Sequence, residues 1–175
     1  MNINTKMIML ILVLGSWGAS AQHDHAKDGG HDRMKMDQKN MDASMVMFKD
    51  AQLGKVYENY ISLKDALVAS NKEDAMKAAT ELQKSLTGVK GGEIVAYEAA
   101  KVAVADNLED QRTAFSGLSD MMAMLVKDGK LSMGMIYLDY CPMVNASWLS
   151  NDKEIKNPYY GDKMLTCGSV KEMIH

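Results

Sequence analysis

After residue 31 this sequence contains a single histidine, His175. A multicopper oxidase centre, or a core built for acid–base catalysis, needs imidazoles held inside the fold. There is no Cys-x-x-Cys for disulfide exchange, no glycine-rich phosphate loop and no carboxylate–histidine cluster beyond the first 31 residues. No enzyme is therefore expected. The net charge is −3, so the basic surface that nucleic-acid binding requires is missing. Aromatic residues make up only 6% of the chain, no fixed-period repeat is visible, and no apolar run after the first 21 residues is long enough to span a bilayer.

Methionine, by contrast, is abundant, with 17 copies in 175 residues. Its thioether is a soft donor that suits Cu(I) and Ag(I). The two cysteines and the two prolines of the chain all fall in one stretch, Tyr137 to Gly168, together with Trp148. Each cysteine has a methionine close by, in Cys141-Pro142-Met143 and in Met164-Leu165-Thr166-Cys167. Pro142 pushes Cys141 toward an extended conformation, and i,i+2 side chains of an extended segment share a side. The i,i+3 spacing of Met164 and Cys167 makes them neighbours on one helical turn, which Gly168 would end. Two thiolates and two thioethers then face one thiophilic ion, with Trp148, Tyr159 and Tyr160 as a dry shell. The competing reading is a Cys141–Cys167 disulfide, which would close a loop of 26 residues (167 minus 141) and contribute roughly 3.5 kcal/mol in the chain-entropy model.

The N-terminus reads as an export signal: Lys6, an apolar run from Met7 to Leu14, and the small-residue site Ala19-Ser20-Ala21. Cleavage after Ala21 is expected, which gives a mature charge of −4 (19 basic minus 23 acidic) and a periplasmic or secreted location. Residues 22–47 carry His23, His25 and His31, then Met34, Met36, Met41, Met45 and Met47, with interspersed aspartates and no period. This predicts a disordered His/Met-rich tail that captures metal.

A helical domain is expected from residue 48 to 175. Leu53, Val56, Tyr57, Tyr60, Lys64 and Leu67 recur at helical spacing, as do Ala75, Ala79, Leu82 and Leu86 behind an Asn71 N-cap. Gly88, Gly91 and Gly92 break the pattern. An Ala/Val-rich stretch from Glu93 follows, separate from or continuous with a last helix marked by Leu108, Gln111, Phe115, Leu118, Met122 and Leu125. Met121, Met122 and Met124 read as core or core-edge, and Gln111 and Arg112 as bridges between helices. Leu131 to Tyr140 reads as a short strand or an extended arm. The predicted fold is all-α: an antiparallel three- to four-helix bundle with an irregular Cys/Met-containing C-terminal arm.

Asp110-Gln111-Arg112, Phe115 and Leu118-Ser119, then Cys141-Pro142-Met143, Trp148-Leu149-Ser150, Asn157-Pro158-Tyr159-Tyr160-Gly161, Met164-Leu165 and Cys167-Gly168 together form a recognisable pattern. It resembles a domain-of-unknown-function family of exported bacterial proteins, also found at the C-terminus of CusB-type copper/silver efflux adaptors. A weaker likeness is to small heavy-metal-binding domains that pair a Cys-Pro-Met triplet with a later Cys-Gly. The resemblance implies copper or silver handling. The expected function is binding of Cu(I) or Ag(I) for sequestration or transfer, with an efflux adaptor as the partner. The metal-ligating candidates are Cys141, Met143, Met164 and Cys167, with His23, His25 and His31 in the tail. The alternative is a metal-free helical module that docks on an envelope protein and is stapled by its disulfide.

Overall fold

The computed structural model describes residues 45–175. The expected signal segment and most of the tail, including His23, His25 and His31, lie outside the described residues.

Four helices form because four amphipathic stretches are each punctuated by a cap. Helix α1 spans Ala51–Val68, and the Asp50 carboxylate accepts from the Gln52 and Leu53 N–H groups at its start. Leu53, Val56, Tyr57, Tyr60, Leu63, Lys64 and Leu67 form its buried face. Helix α2 (Lys72–Ser85) starts at the expected Asn71 cap, whose side chain accepts from Asp74 N–H. Gly88 and Gly91, both at positive φ, turn the chain into α3 (Gly92–Val104). Asn107 then caps α4 (Leu108–Asp128), so the uncertain stretch after Glu93 is two helices. The three connections are short, which makes successive helices antiparallel neighbours.

The rest of the chain is not the irregular arm expected, and the fold is not purely all-α. Five strands form two small antiparallel sheets. Strand β1 (Met47–Phe48), just before α1, pairs with β2 (Leu131–Met133), just after α4, and ties the ends of the first and last helices together. Strands β3 (Ile136–Cys141), β4 (Ala146–Ser150) and β5 (Ser169–Ile174) form the second sheet in the order β4-β3-β5. The short period-2 runs of these strands are weak signals beside long helical periods, and β5 is exposed along nearly its whole length.

One core joins both layers. Phe115, Leu118 and Met122 of α4, Tyr57, Tyr60 and Leu63 of α1, and Trp148 and Leu149 of β4 are all buried within it. Stacked and tilted rings run through it from Phe48 by way of Tyr57, Tyr60, Phe115 and Tyr159 to Trp148. Of the three methionines expected in the α4 core, Met122 is fully buried and Met121 partly so, but Met124 is 63% exposed. No helix among the described residues is long and apolar enough to cross a membrane.

Candidate metal centre

Strand β3 ends at Cys141, and a four-residue turn, Pro142 to Asn145, leads into β4 with Cys141 opposite Ala146. Asn145 adopts the left-handed region (φ 52°) that closes the turn, and its side chain accepts from the Tyr140 hydroxyl at 2.7 Å. Cys141 is extended, as the following proline requires. Met143 is not: it lies in the turn. What Met143 turns toward the Cys141 sulfur is its backbone N–H, and the Val144 N–H joins it. Its side chain is 62% exposed.

The second cysteine arrives on a different backbone shape from the helical turn expected. A short 3-10 helix, Gly161–Lys163, ends before Met164, and Met164 to Cys167 form a tight turn closed by Cys167 N–H to the Met164 carbonyl at 3.0 Å. Gly168 follows because a Cβ there would press on Trp148 Cη2 at 2.9 Å and on the Tyr140 carbonyl at 3.0 Å. The chain can thus cross the indole and deliver Cys167 beside Cys141. Both are free thiols, with Sγ atoms 3.8 Å apart. Cys141 is buried and Cys167 is partly exposed.

Asn157, fully buried, holds the two halves together. Its Nδ2 donates to the Cys167 carbonyl at 2.7 Å, its Oδ1 accepts from Tyr159 N–H at 2.8 Å, and its backbone N–H reaches the Leu165 carbonyl at 2.8 Å. Its side chain also lies near enough to the Cys141 sulfur to lower that thiol's pKa. Arg112 of α4 clasps the same loop, with Nε on the Pro158 carbonyl at 2.9 Å and Nη2 on the Leu67 carbonyl and Ser70 Oγ. The sequence placed Asn157 only in a turn and Arg112 only between helices. The signal for the larger role of Asn157 was its position before a proline, between the two cysteines.

These contacts divide the thiols electrically. Burial works against ionising Cys141, but hydrogen bonds from Val144 N–H, the Asn157 side chain, Met143 N–H and Cys167 outweigh it and pull its pKa below the ordinary thiol range. Cys167 is pushed the other way, first by desolvation and then by its hydrogen bond to, and the charge of, Cys141. Cys141 is therefore the more acidic sulfur of the pair and Cys167 the one that keeps its proton longer, the two titrating as one unit.

The arrangement suits a soft ion. With metal–sulfur bonds of about 2.3 Å, a separation of 3.8 Å corresponds to a sulfur–metal–sulfur angle of about 110°. Opening to linear two-coordination moves the sulfurs only about 0.8 Å further apart on the same bond lengths. A disulfide needs the opposite motion, to about 2.05 Å. Among the described residues no group of three or more His, Cys, Asp or Glu is placed to hold a metal. The described donors in this segment are thus the two sulfurs plus the thioethers of Met143 and Met164, and Met164 is 36% exposed.

A four-helix bundle backed by a three-stranded sheet that carries a paired-cysteine turn defines the architecture. Within it, residues 56–134 match the family described as protein of unknown function (DUF3347). The matched region covers the bundle from within α1 through β2 and stops before Cys141. No curated protein and no solved structure matches the chain.

Proposed function

We propose that this protein is an exported heavy-metal-binding protein that takes up Cu(I) or Ag(I) at Cys141 and Cys167, then sequesters it or passes it to a periplasmic efflux adaptor. The observation that carries this reading is the pair of free sulfurs 3.8 Å apart, with Cys141 surrounded by N–H donors. Metal ligation needs thiolate, and those donors stabilise it before any ion arrives. Two thiolates satisfy a soft monovalent ion, whereas a structural Zn²⁺ wants four ligands. Met143 and Met164, both solvent-accessible, add weak thioether contacts on the open side. His23, His25 and His31 would gather ions in the tail, and cleavage after Ala21 would accompany export.

The same proximity of sulfurs favours one alternative: oxidation to a staple between β3 and the Met164–Cys167 turn, in a module that docks without metal. One experiment separates the two. The chain from Gln22 is titrated with Cu(I) against a chromophoric competitor, with free thiols counted before and after mild reduction, beside a Cys141→Ser/Cys167→Ser variant and a Met143→Leu/Met164→Leu variant. Stoichiometric binding that is lost in the serine variant and weakened in the leucine variant is expected. Native protein without free thiols, or affinity indifferent to both serines, would overturn the metal reading. Affinity unchanged by the leucines alone would reduce the site to its two cysteines.

A further inference from the structure

Methionine is ordinarily a filler of irregular core gaps. Here, of the eleven methionines among the described residues, only Met122 is buried and seven are exposed. Three of those seven lie on one small element that shares no residue with the cysteines' turn. In the β1–β2 ribbon Met47 lies directly opposite Met133. Directly opposed residues of an antiparallel pair project to the same side with Cβ atoms about 4.5–5.5 Å apart. Met45 precedes Met47 by two residues, and burial alternates along this segment: Met45 exposed, Val46 partly buried, Met47 exposed, Phe48 buried. Met45 and Met47 thus share the outer face.

The ribbon fixes the backbone that carries these side chains. Phe48 anchors it in the core, and Lys49 N–H donates to the Lys130 carbonyl at 2.8 Å. Gly134, at φ +86°, has no Cβ to collide with the Met45 carbonyl, so the Met45 backbone lies against the end of β2. The three side chains are 49%, 46% and 54% exposed, where hydrophobic packing does not account for them.

We propose that Met45, Met47 and Met133 form a second soft-metal site, three thioethers gathering one Cu(I) or Ag(I) ion. Neutral thioethers select soft monovalent ions and leave hard divalent ones in water. The site rests on the metal reading given above only for the class of ion, since it shares no residue with the cysteine pair. It lies where the His/Met-rich segment enters the fold, and β3 runs from beside it to Cys141.

The test is an Ag(I) titration of the chain from Gln22 carrying ¹³C-methyl methionine, followed by NMR, with free thiols counted in parallel. The Cε methyl signals of Met45, Met47 and Met133 should move along one common saturation curve while Met76 stays still. Met133→Leu, a near-isosteric change on an exposed residue, should weaken that response at Met45 and Met47 by at least about tenfold. Signals of the three that stay fixed at saturating Ag(I), or that move independently and ignore Met133→Leu, overturn the site. Loss of thiols without methyl shifts at the ribbon leaves the cysteine centre standing alone. Methyl shifts with thiols untouched remove the cysteine centre and keep this one.

Discussion

The bundle and the sheet that backs it solve the same problem differently. A helix satisfies its own backbone, so α1 to α4 need only present an apolar stripe, and their buried polar side chains are few: Lys64, Gln111 and Ser119. A three-stranded sheet cannot do this, because β4 is an edge strand with outward N–H and carbonyl groups. Those groups are met by side chains from elsewhere. The Tyr60 hydroxyl of α1 accepts from Leu149 N–H at 3.0 Å, and the Tyr159 hydroxyl donates to the Ser147 carbonyl at 2.6 Å. Tyr60 in turn shares a 2.7 Å hydrogen bond with Ser119 of α4. The sheet region is thus built on individual hydrogen bonds anchored in the bundle, and the paired thiols depend on that anchoring.

The comparison predicts one cooperative unit despite two kinds of construction. Trp148, fully buried against Tyr159, is the sole tryptophan from Gln22 onward. Trp148→Ala should cost about 3–5 kcal/mol, read as a lower urea midpoint for the helical circular dichroism as well. In the parent chain, Trp148 fluorescence and helix ellipticity should report one transition; fluorescence lost well before ellipticity would split sheet from bundle.

A smaller effect depends on pH. Asp139 of β3 is fully buried, and neither carboxylate oxygen has a partner. Desolvation pushes its pKa up to about 7, with the charge of buried Lys64 offsetting part of the rise. The protonated form loses less by being buried there than the ionised form does. The contribution of Asp139 to stability should therefore be fully present below the ordinary carboxylate range and be lost as pH rises to about 7, by on the order of a few kcal/mol, then level off. Asp139→Asn should flatten that slope and be the more stable protein at pH 8. A parent and a variant with parallel pH profiles would sink the assignment. Next in size is Tyr60→Phe, which leaves the Leu149 N–H without its partner and should cost about 1–3 kcal/mol by urea denaturation.

The two regions were also unequally legible. Every residue of the α1 stripe read from spacing, from Leu53 through Lys64 to Leu67, is buried, and the Asn71 cap stands where expected. Three-to-four spacing over many residues is a local signal, and caps obey local rules. Strands of five or six residues carry little period, and what makes β3 to β5 a sheet is pairing across the chain. The cysteines and their neighbourhood were visible from composition, but the turn that directs Met143 N–H at Cys141, and the clamp by Asn157, depend on backbone geometry that spacing does not encode. An extended reading of Cys141-Pro142-Met143 overlooked that four residues must reverse the chain between β3 and β4.

The smallest predicted effect bears most directly on the site. The thiolate of Cys141 is stabilised by the Val144 and Met143 N–H groups, the Asn157 side chain and the Cys167 thiol, against the burial that opposes it. Alkylation of the reduced protein by iodoacetamide, followed against pH residue by residue, should show Cys141 titrating below Cys167. Its absolute rate will be held down by burial, so the midpoint and not the speed is the readout. Cys167→Ala removes only the thiol donor among those groups, and the Cys141 midpoint should move up while remaining below that of an ordinary thiol, because the backbone donors of the turn are untouched. A midpoint that rises all the way to the ordinary thiol range in that variant would place the stabilisation in the partner sulfur instead of in the turn. Cys141 would then be an ordinary buried cysteine, with nothing in the turn prepared for an ion.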